Sequence, residues 1–296
     1  MASFSQSPKA AQFALIFITM IWGGTFLSVQ HVLNFSTPMF FVGCRFAVAA
    51  LAILLISLKS MRGLNLKEIG AGTAIGIVIA IGYGTQTIGL QTILSSESAF
   101  LTALYVPLVP ILMWVIFQKR PSFMTWIGTA LAFTGLVLLT GNGFSSITLS
   151  FGQILTLVCA LVIALEIILI GYFAGKVNLR RVTVVQLAVA SLLSFASMPL
   201  VGEHSIPAFS WPLVIIAVAL GLASALIQFV MNWAQRMVDP TRAAIIYAGE
   251  PVWAGLFGRI AGERLPLLAL VGGLLVVLGV LISELKFKFF ENKKES

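Results

Sequence analysis

The second half of this chain repeats part of its first half. Residues 83–139 align without a gap on residues 227–283, an offset of 144 positions. An interior proline and two glycines seven residues apart, all in one register, are difficult to obtain by chance in an apolar sequence. The repeat therefore predicts two copies of one helical unit. Nine of the 57 aligned positions are identical, and the matches that constrain backbone structure include Gln91/Gln235, Pro107/Pro251, Arg120/Arg264, Gly128/Gly272 and Gly135/Gly279.

Composition then determines the class of protein. The chain of 296 residues is 59% hydrophobic and 9% charged, with a mean hydropathy of +1.05, whereas soluble domains carry roughly 25% charged residues. This composition indicates an integral membrane protein, and its spans must be helices because lipid cannot hydrogen-bond the backbone. Apolar runs of about 20 residues, enough to cross a bilayer, occur at residues 11–30, 38–58, 69–90, 98–117, 122–140, 151–171, 182–200, 211–234, 242–260 and 264–284.

The predicted fold class is thus an all-α integral membrane protein with ten transmembrane helices. Two five-helix repeats are expected, one at residues 1–142 and one at residues 143–296, the second followed by a basic tail. Short connecting loops leave no room for a soluble domain between the helices. The first apolar run has no small-residue cleavage site, so we expect it to remain as a span.

Lysine and arginine predict the orientation of the chain. With the N-terminus inside the cell, the positive-inside rule is satisfied by most of the basic residues, and both termini are cytoplasmic. An odd number of helices per repeat then inverts the second unit relative to the first. The net charge of +8 is therefore explained by membrane orientation and does not indicate nucleic-acid binding. Fifteen of the 18 basic residues fall inside, and the exceptions are Arg45 within a span and Arg259 and Arg264 outside.

Four short motifs, in this order along the chain, carry a resemblance to a known family. They are Trp22-Gly23-Gly24-Thr25-Phe26, Arg45-Phe46, Glu250-Pro251-Val252 and Gly262-Glu263-Arg264. Together with the ten-span duplication they resemble the drug/metabolite transporter superfamily, specifically its EamA-type members, over nearly the entire chain. The resemblance implies transport of small metabolites, often export, through a central cavity between the repeats. Glu166 departs from the family pattern because it interrupts an apolar sixth span.

Three charged residues lie well inside the predicted spans, away from the span ends. They are the first candidates for a mechanism, since a charge near the bilayer centre costs about 2.5 to 3.5 kcal/mol to insert. Glu250 precedes Pro251 and is flanked by Tyr247 and Trp253 at i−3 and i+3. It is expected either to contact a substrate ammonium group or a proton, or to tie neighbouring helices together. Pro251, with Pro107 in the fourth span, is a candidate hinge because a proline kinks a helix.

Arg45 and Glu166 each leave alternatives open. Arg45 could attract a substrate carboxylate, reach the outer interface, or form a structural ion pair with Glu250 or Glu166, which is the favoured hypothesis. Glu166 has only apolar neighbours on its own helix, so it must find a partner elsewhere or stay protonated. Both Glu166 and Glu250 are proton-coupling candidates.

Polar stripes on two symmetry-related helices predict a shared cavity. In the eighth span the stripe contains Ser224, Gln228, Asn232 and Gln235; in the third it contains Tyr83, Thr87 and Gln91, with Gln86 beside it. A water-accessible cavity is favoured over interhelical hydrogen bonding. The predicted substrate-binding residues are Trp22, Arg45, Tyr83, Gln86, Gln228, Asn232, Tyr247, Glu250 and Trp253.

The sequence therefore predicts a secondary transporter in a bacterial inner membrane, an exporter of amino acids or amphipathic metabolites by alternating access. Its partners are the cargo, the bilayer and, under one hypothesis, protons. Cys44 and Cys159 are expected to be buried thiols, and no metal or cofactor is predicted. The rival cargo is a phosphorylated or nucleotide-linked compound, which would require several cavity cations. A channel, a sensor and an enzyme are the rival classes.

Overall fold

The computed structural model describes residues 7–118, 120, 123–139 and 149–283, so Lys119, the tail lysines and the predicted boundary between the repeats lie outside the described residues. Within those ranges the regular structure is helical, with one short 3-10 turn at Pro199–Val201. The α-helices are α1 (Pro8–Val32), α2 (Pro38–Met61), α3 (Leu66–Gly89), α4 (Ser95–Thr102), α5 (Tyr105–Phe117), α6 (Phe123–Leu139), α7 (Phe151–Phe173), α8 (Leu179–Ser197), α9 (Trp211–Ala234), α10 (Pro240–Tyr247), α11 (Glu250–Ile260) and α12 (Leu267–Ser283).

Seven helical segments in the described ranges are long and apolar enough to cross a membrane. They are α1, α2, α3, α4 with α5, α7, α8 and α9. The predicted all-helical, membrane-spanning architecture is confirmed. The count of ten spans and the inversion of the second repeat stay predictions.

Two spans predicted as continuous helices are each interrupted. The fourth run breaks after Thr102 and the ninth after Tyr247. Proline is the physical reason: Pro107 has no N–H to offer the carbonyl of Ala103, which instead accepts from the Val106 N–H at 3.0 Å. The linking residues keep right-handed helical angles, so the interruption is a tightened turn. Both predicted hinge prolines, Pro107 and Pro251, thus lie in the first turn of a new helix.

The contacts between helices show a symmetry between the two halves of the chain. When each helix is replaced by its counterpart in the other half, the same pairs of helices remain in contact. Helix α3 packs on α7 and α8, and its counterpart α9 packs on α1 and α2. In the same way α1 contacts α11 and α7 contacts α5. The pairs α2 with α8 and α6 with α12 correspond to themselves. This interchange is what a two-fold relation between the halves requires.

Glycines, among them Gly72, Gly76 and Gly135, permit the closest of these contacts. An ideal Cβ at Gly76 would lie 2.6 Å from the Gln186 carbonyl oxygen, so α3 and α8 meet through backbone. At Gly135 a Cβ would lie 2.5 Å from the Gly272 carbonyl oxygen, between α6 and α12. Small residues at such seams let helices pack closely in lipid.

We therefore expect Gly135→Ala to lower the melting temperature of the protein in detergent, because its new methyl group meets rigid backbone of α12. Overpacking of this kind costs about 1–3 kcal/mol. Gly70→Ala is the matched control, since a Cβ there meets nothing within 4 Å. Equal melting temperatures for the two variants would contradict the close α6–α12 seam.

Polar contacts near helix ends fall into two groups. One group joins the ends predicted to lie outside: the Gln30 side chain donates to the Ile93 carbonyl at 3.0 Å, and the Gln153 side chain donates to Glu97 at 2.6 Å. The other joins the ends predicted to lie inside, where Arg181 pairs with Glu68 at 3.2 Å. Each of these three contacts therefore joins two ends that the predicted topology places on the same membrane side.

Candidate functional site

Arg45 lies a third of the way along α2 and is only 2% exposed. Its Nε donates to the Ser224 hydroxyl of α9 at 2.6 Å, and its guanidinium carbon lies 5.0 Å from the Tyr83 ring centre. The favoured ion pair with Glu166 or Glu250 is wrong: no carboxylate lies within 4.0 Å of this guanidinium in the described part of the chain. A hydroxyl and an aromatic face take the place of the counter-ion.

Gly221 explains how α9 brings its serine to Arg45. An ideal Cβ at Gly221 would lie 2.8 Å from the Arg45 carbonyl oxygen and 2.6 Å from the Val48 Cβ. The two backbones are therefore in direct contact one turn from Ser224. The second terminal nitrogen of Arg45, Nη2, is buried without a hydrogen-bond partner in the described structure.

Glu250 is the first residue of α11 and is fully buried. The Tyr105 hydroxyl donates to its Oε2 at 3.3 Å, while its Oε1 has no partner among the described residues. The N-terminus of a helix carries partial positive charge, which favours a carboxylate there. A Cβ at Gly23 would lie 2.7 Å from the Glu250 carbonyl oxygen, so α1 packs directly against this interruption.

The predicted face with Tyr247 and Trp253 bracketing Glu250 is not one regular helical face, because α10 ends at Tyr247 and α11 starts at Glu250. Tyr247 is fully buried and makes an edge contact with Trp22, with ring centres 5.9 Å apart. Trp253 is half-buried and stacks on Phe257 at 6.4 Å. The two aromatic residues therefore lie in different surroundings.

Glu166 has a hydrogen-bond partner on another helix, which was one of the two outcomes predicted from its apolar neighbours. The Gln228 amide of α9 donates to Glu166 Oε1 at 2.7 Å. Gln186 of α8 donates to the Gln228 oxygen at 2.8 Å, and Asn232 donates to the Gln186 oxygen at 3.1 Å. This chain of amides links α7, α8 and α9, and the second carboxylate oxygen of Glu166 has no partner in the described structure.

The remaining predicted residues border the same core. Gln86 donates to the Thr102 hydroxyl at 3.2 Å, and Gln235 donates to the Tyr247 hydroxyl at 3.4 Å. Tyr83 is buried, with the Arg45 guanidinium carbon over its ring and the Phe46 ring edge-on at 5.0 Å. Gln91 lies beyond the end of α3 and is exposed, outside the core.

We call the buried polar side chains of this core the central polar cluster. None of its members is more than 8% exposed, so the cluster is enclosed in this conformation. Its hydrogen bonds cross between helices, so this conformation has the interhelical bonding that was the alternative to the favoured prediction of a water-accessible cavity. Its members are Arg45, Tyr83, Gln86, Tyr105, Glu166, Gln186, Ser224, Gln228, Asn232, Gln235, Tyr247 and Glu250.

Sequence reasoning missed Tyr105 and Gln186. A usable signal existed for the first, since the chain has only four tyrosines and three of them, at 83, 105 and 247, join the central polar cluster. Gln186 is the one amide side chain in its span, so it forms no polar stripe along its own helix. Cys159 is buried as predicted and Cys44 is half-buried, and both are free thiols.

Comparison with known proteins identifies the family. The model of the EamA-like transporter family matches residues 9–141 and again residues 150–285. The chain belongs to the EamA-like transporter family. This assignment confirms the resemblance to the drug/metabolite transporter superfamily, and it makes the chain a multi-span membrane transporter.

Individual relatives align with nearly the whole of this EamA-like transporter. An uncharacterized transporter of Archaeoglobus fulgidus is 29% identical over 93% of this chain and 86% of its own length. The uncharacterized inner membrane transporter YedA of Escherichia coli K12 is 27% identical over 93% of this chain and 91% of its own. A solved crystal structure shares the fold, with a TM-score of 0.67 at 18% identity over 95% of this chain and 99% of that one.

Proposed function

We propose that this EamA-like transporter is a secondary carrier that exports a small metabolite by alternating access, with the central polar cluster as its cargo site. One observation carries the proposal: buried polar atoms without a partner meet in this cluster and at Trp22, which contacts it. Such atoms are rare because each costs about 1–3 kcal/mol. They are Trp22 Nε1, Arg45 Nη2, Glu166 Oε2, Gln235 Oε1 and Glu250 Oε1.

The chemistry of these atoms favours a cargo that carries both a positive and a negative charge, or both hydrogen-bond donors and acceptors. Trp22 and Arg45 offer donors, whereas Gln235 offers an acceptor. The carboxylates of Glu166 and Glu250 add negative charge. A zwitterionic compound such as an amino acid, or an amphipathic one, satisfies both kinds of group. Trp22, Tyr83, Gln86, Gln228, Asn232, Tyr247 and Trp253 complete the proposed lining.

Alternating access is favoured by the form of the helices around this site. The prolines place interruptions in the fourth and ninth predicted spans, beside Tyr105 and Glu250. Discontinuous helices at the midplane and inverted repeats are typical of secondary transporters. The exchange of packing pairs between the halves, and the two separate matches to the family, support two inverted five-helix units with ten spans in all.

Three rival functions are less well supported. A phosphorylated or nucleotide-linked cargo would require several cations, but Arg45 is the one arginine or lysine of the central polar cluster in the described structure. A channel would require a continuous hydrated path, whereas the described cluster is enclosed. An enzyme is disfavoured by membership in a family of transporters.

The distribution of basic residues and the name of one relative support a proposal on orientation and location. We propose that the chain lies in the inner membrane, as the YedA relative is named, with both termini cytoplasmic. Single cysteines introduced by Ser145→Cys and Arg180→Cys are then expected to react from opposite membrane sides with an impermeant maleimide. Labelling of both from one side would contradict the topology.

Counterflow in proteoliposomes tests the carrier proposal directly. Vesicles that contain the purified protein are loaded with a panel of amino acids, their aromatic analogues, amines and nucleotide sugars. Mass spectrometry then identifies which isotope-labelled compounds exchange. We expect saturable exchange of amino acids or amphipathic amines. Exchange of nucleotide sugars alone would favour the phosphorylated cargo. Flux of a labelled compound that is not accelerated by unlabelled compound on the other side would favour a channel.

A further inference from the structure

A groove of about 580 Å³ lies between α4, α11 and α12. Its walls are mostly apolar and include Phe100, Val252, Leu256, Leu274 and Val277. Val252, Leu256 and Leu274 are each about half exposed or more, at 55%, 49% and 58%. Because α11 and α12 belong to predicted membrane spans, these side chains face the hydrocarbon of the bilayer. The groove is therefore a lipid-facing cleft, and its lining includes none of the residues of the central polar cluster.

One end of the groove carries a cation. Arg259 lines it in the last turn of α11 and is exposed. Its guanidinium has no ion pair or hydrogen bond in the described part of the chain. Arg264 is also exposed, just beyond this helix end. Arg259 and Arg264 are the two basic residues that the predicted topology places at the outer side of the membrane, so the positive-inside rule does not explain their charge.

The nearby carboxylate forms no ion pair with this cation in the described ranges. Glu263 lines the same end of the groove, but its oxygens are turned to the start of α4. There it accepts from the Ser95 and Ser96 amides at 3.1 and 3.2 Å and from both hydroxyls at 2.5 Å. With all four bonds directed to α4, Glu263 is held as a helix cap. The free hydrogen-bonding group at the groove mouth is the guanidinium.

We propose that this groove binds a phospholipid, with its phosphate on Arg259 and one acyl chain between α11 and α12. Guanidinium groups bind phosphate through paired, charge-assisted hydrogen bonds. From Arg259 to Val252 the groove follows seven residues of helix, about 10 Å at 1.5 Å per residue. This is roughly a third of the hydrocarbon core. The acyl chain thus runs from the interface to the first turn of α11, which carries Glu250.

Two variants test the contacts of the lipid headgroup and of its acyl chain separately. Arg259→Gln removes the cation and keeps a polar side chain of similar reach. Gly255→Leu fills the groove without a backbone clash, because an ideal Cβ at Gly255 meets only the Phe100 ring at 3.6 Å. Arg180→Gln, at an exposed arginine on the opposite predicted side, is the matched control.

Native mass spectrometry of the purified, delipidated chain then measures binding of phosphatidylglycerol and of diacylglycerol with the same acyl chains. We expect Arg259→Gln to weaken phosphatidylglycerol binding about tenfold, the effect of losing a charged hydrogen bond, without changing diacylglycerol binding. Gly255→Leu should weaken binding of both, and Arg180→Gln of neither. Wild-type binding of phosphatidylglycerol by both Arg259→Gln and Gly255→Leu, at unchanged melting temperature, would overturn the proposal.

A second copy of the chain is the competing occupant of the groove. Leu274→Cys, in a background without Cys44 and Cys159, places a thiol on the groove wall. We expect it to remain monomeric under oxidation in native membranes, because a lipid covers it. Disulfide-linked dimers, together with unaltered phosphatidylglycerol binding by Arg259→Gln, would assign the groove to protein contacts instead.

Discussion

Arg45→Met is expected to lower the counterflow rate of the cargo at least about tenfold while the protein remains folded. Methionine has a similar length and packs well against aromatic rings, so it can fill the space beside Tyr83. Removing a buried charge that has no counter-ion also removes its desolvation cost, which is on the order of several kcal/mol per ion. Loss of the guanidinium, by contrast, removes the one cation of the described cluster, and a charged hydrogen bond to a cargo carboxylate is worth about tenfold or more in affinity.

Two measurements together make this prediction decisive. Counterflow gives the rate, and the melting temperature in detergent reports folding of the same preparation. Ser224→Ala is the control, because it removes only the hydroxyl that Arg45 contacts at 2.6 Å. It should reduce transport less than Arg45→Met does. An unfolded Arg45→Met protein, or a folded one with undiminished exchange, would show that the arginine is structural.

The fold was predictable from the sequence wherever one physical rule acts alone. A backbone in lipid must be helical to satisfy its own hydrogen bonds, and the length of an apolar run indicates where it crosses the membrane. The run at 211–234 therefore coincides with α9. Interruptions within spans were harder to predict. Pro107 and Pro251 mark them, but whether a proline bends a helix or divides it depends on which neighbouring donors replace the lost bond. Here the Ala103 carbonyl, which Pro107 cannot donate to, accepts from the Val106 N–H three residues further along the chain, and a helix boundary results.

The candidate site was predictable in its residue types and not in its pairings. Insertion cost identified Arg45, Glu166 and Glu250 as unusual, and all three are buried in the core. Their partners depend on the rotation of each helix about its axis, which sequence periodicity fixes poorly in a chain that is apolar on nearly every face. For that reason the expected ion pair of Arg45 is replaced by Ser224, and Glu250 meets Tyr105.

Replacing either buried carboxylate by its amide is the second change from which we expect a large effect. In proteoliposomes loaded with cargo at neutral pH, acidifying the outer solution should accelerate cargo efflux, because protons enter in exchange. Glu166→Gln or Glu250→Gln should abolish this acceleration, while counterflow at equal pH continues at a reduced rate because the proposed site loses one negative charge. The reason is chemical: glutamine keeps the acceptor oxygen that Gln228 or Tyr105 contacts at 2.7 or 3.3 Å, but it cannot release a proton.

The two carboxylates can be distinguished because they occupy different surroundings. Glu166 ends the amide chain from Asn232 and Gln186 through Gln228, whereas Glu250 begins a helix beside Pro251. Asp239→Asn is the control, since it removes an exposed carboxylate and asparagine caps α10 equally well. If only one amide variant loses the pH response, that residue carries the proton and the other positions cargo or helices. If both amide variants keep the acid-driven efflux, neither carboxylate couples protons, and each ties neighbouring helices together.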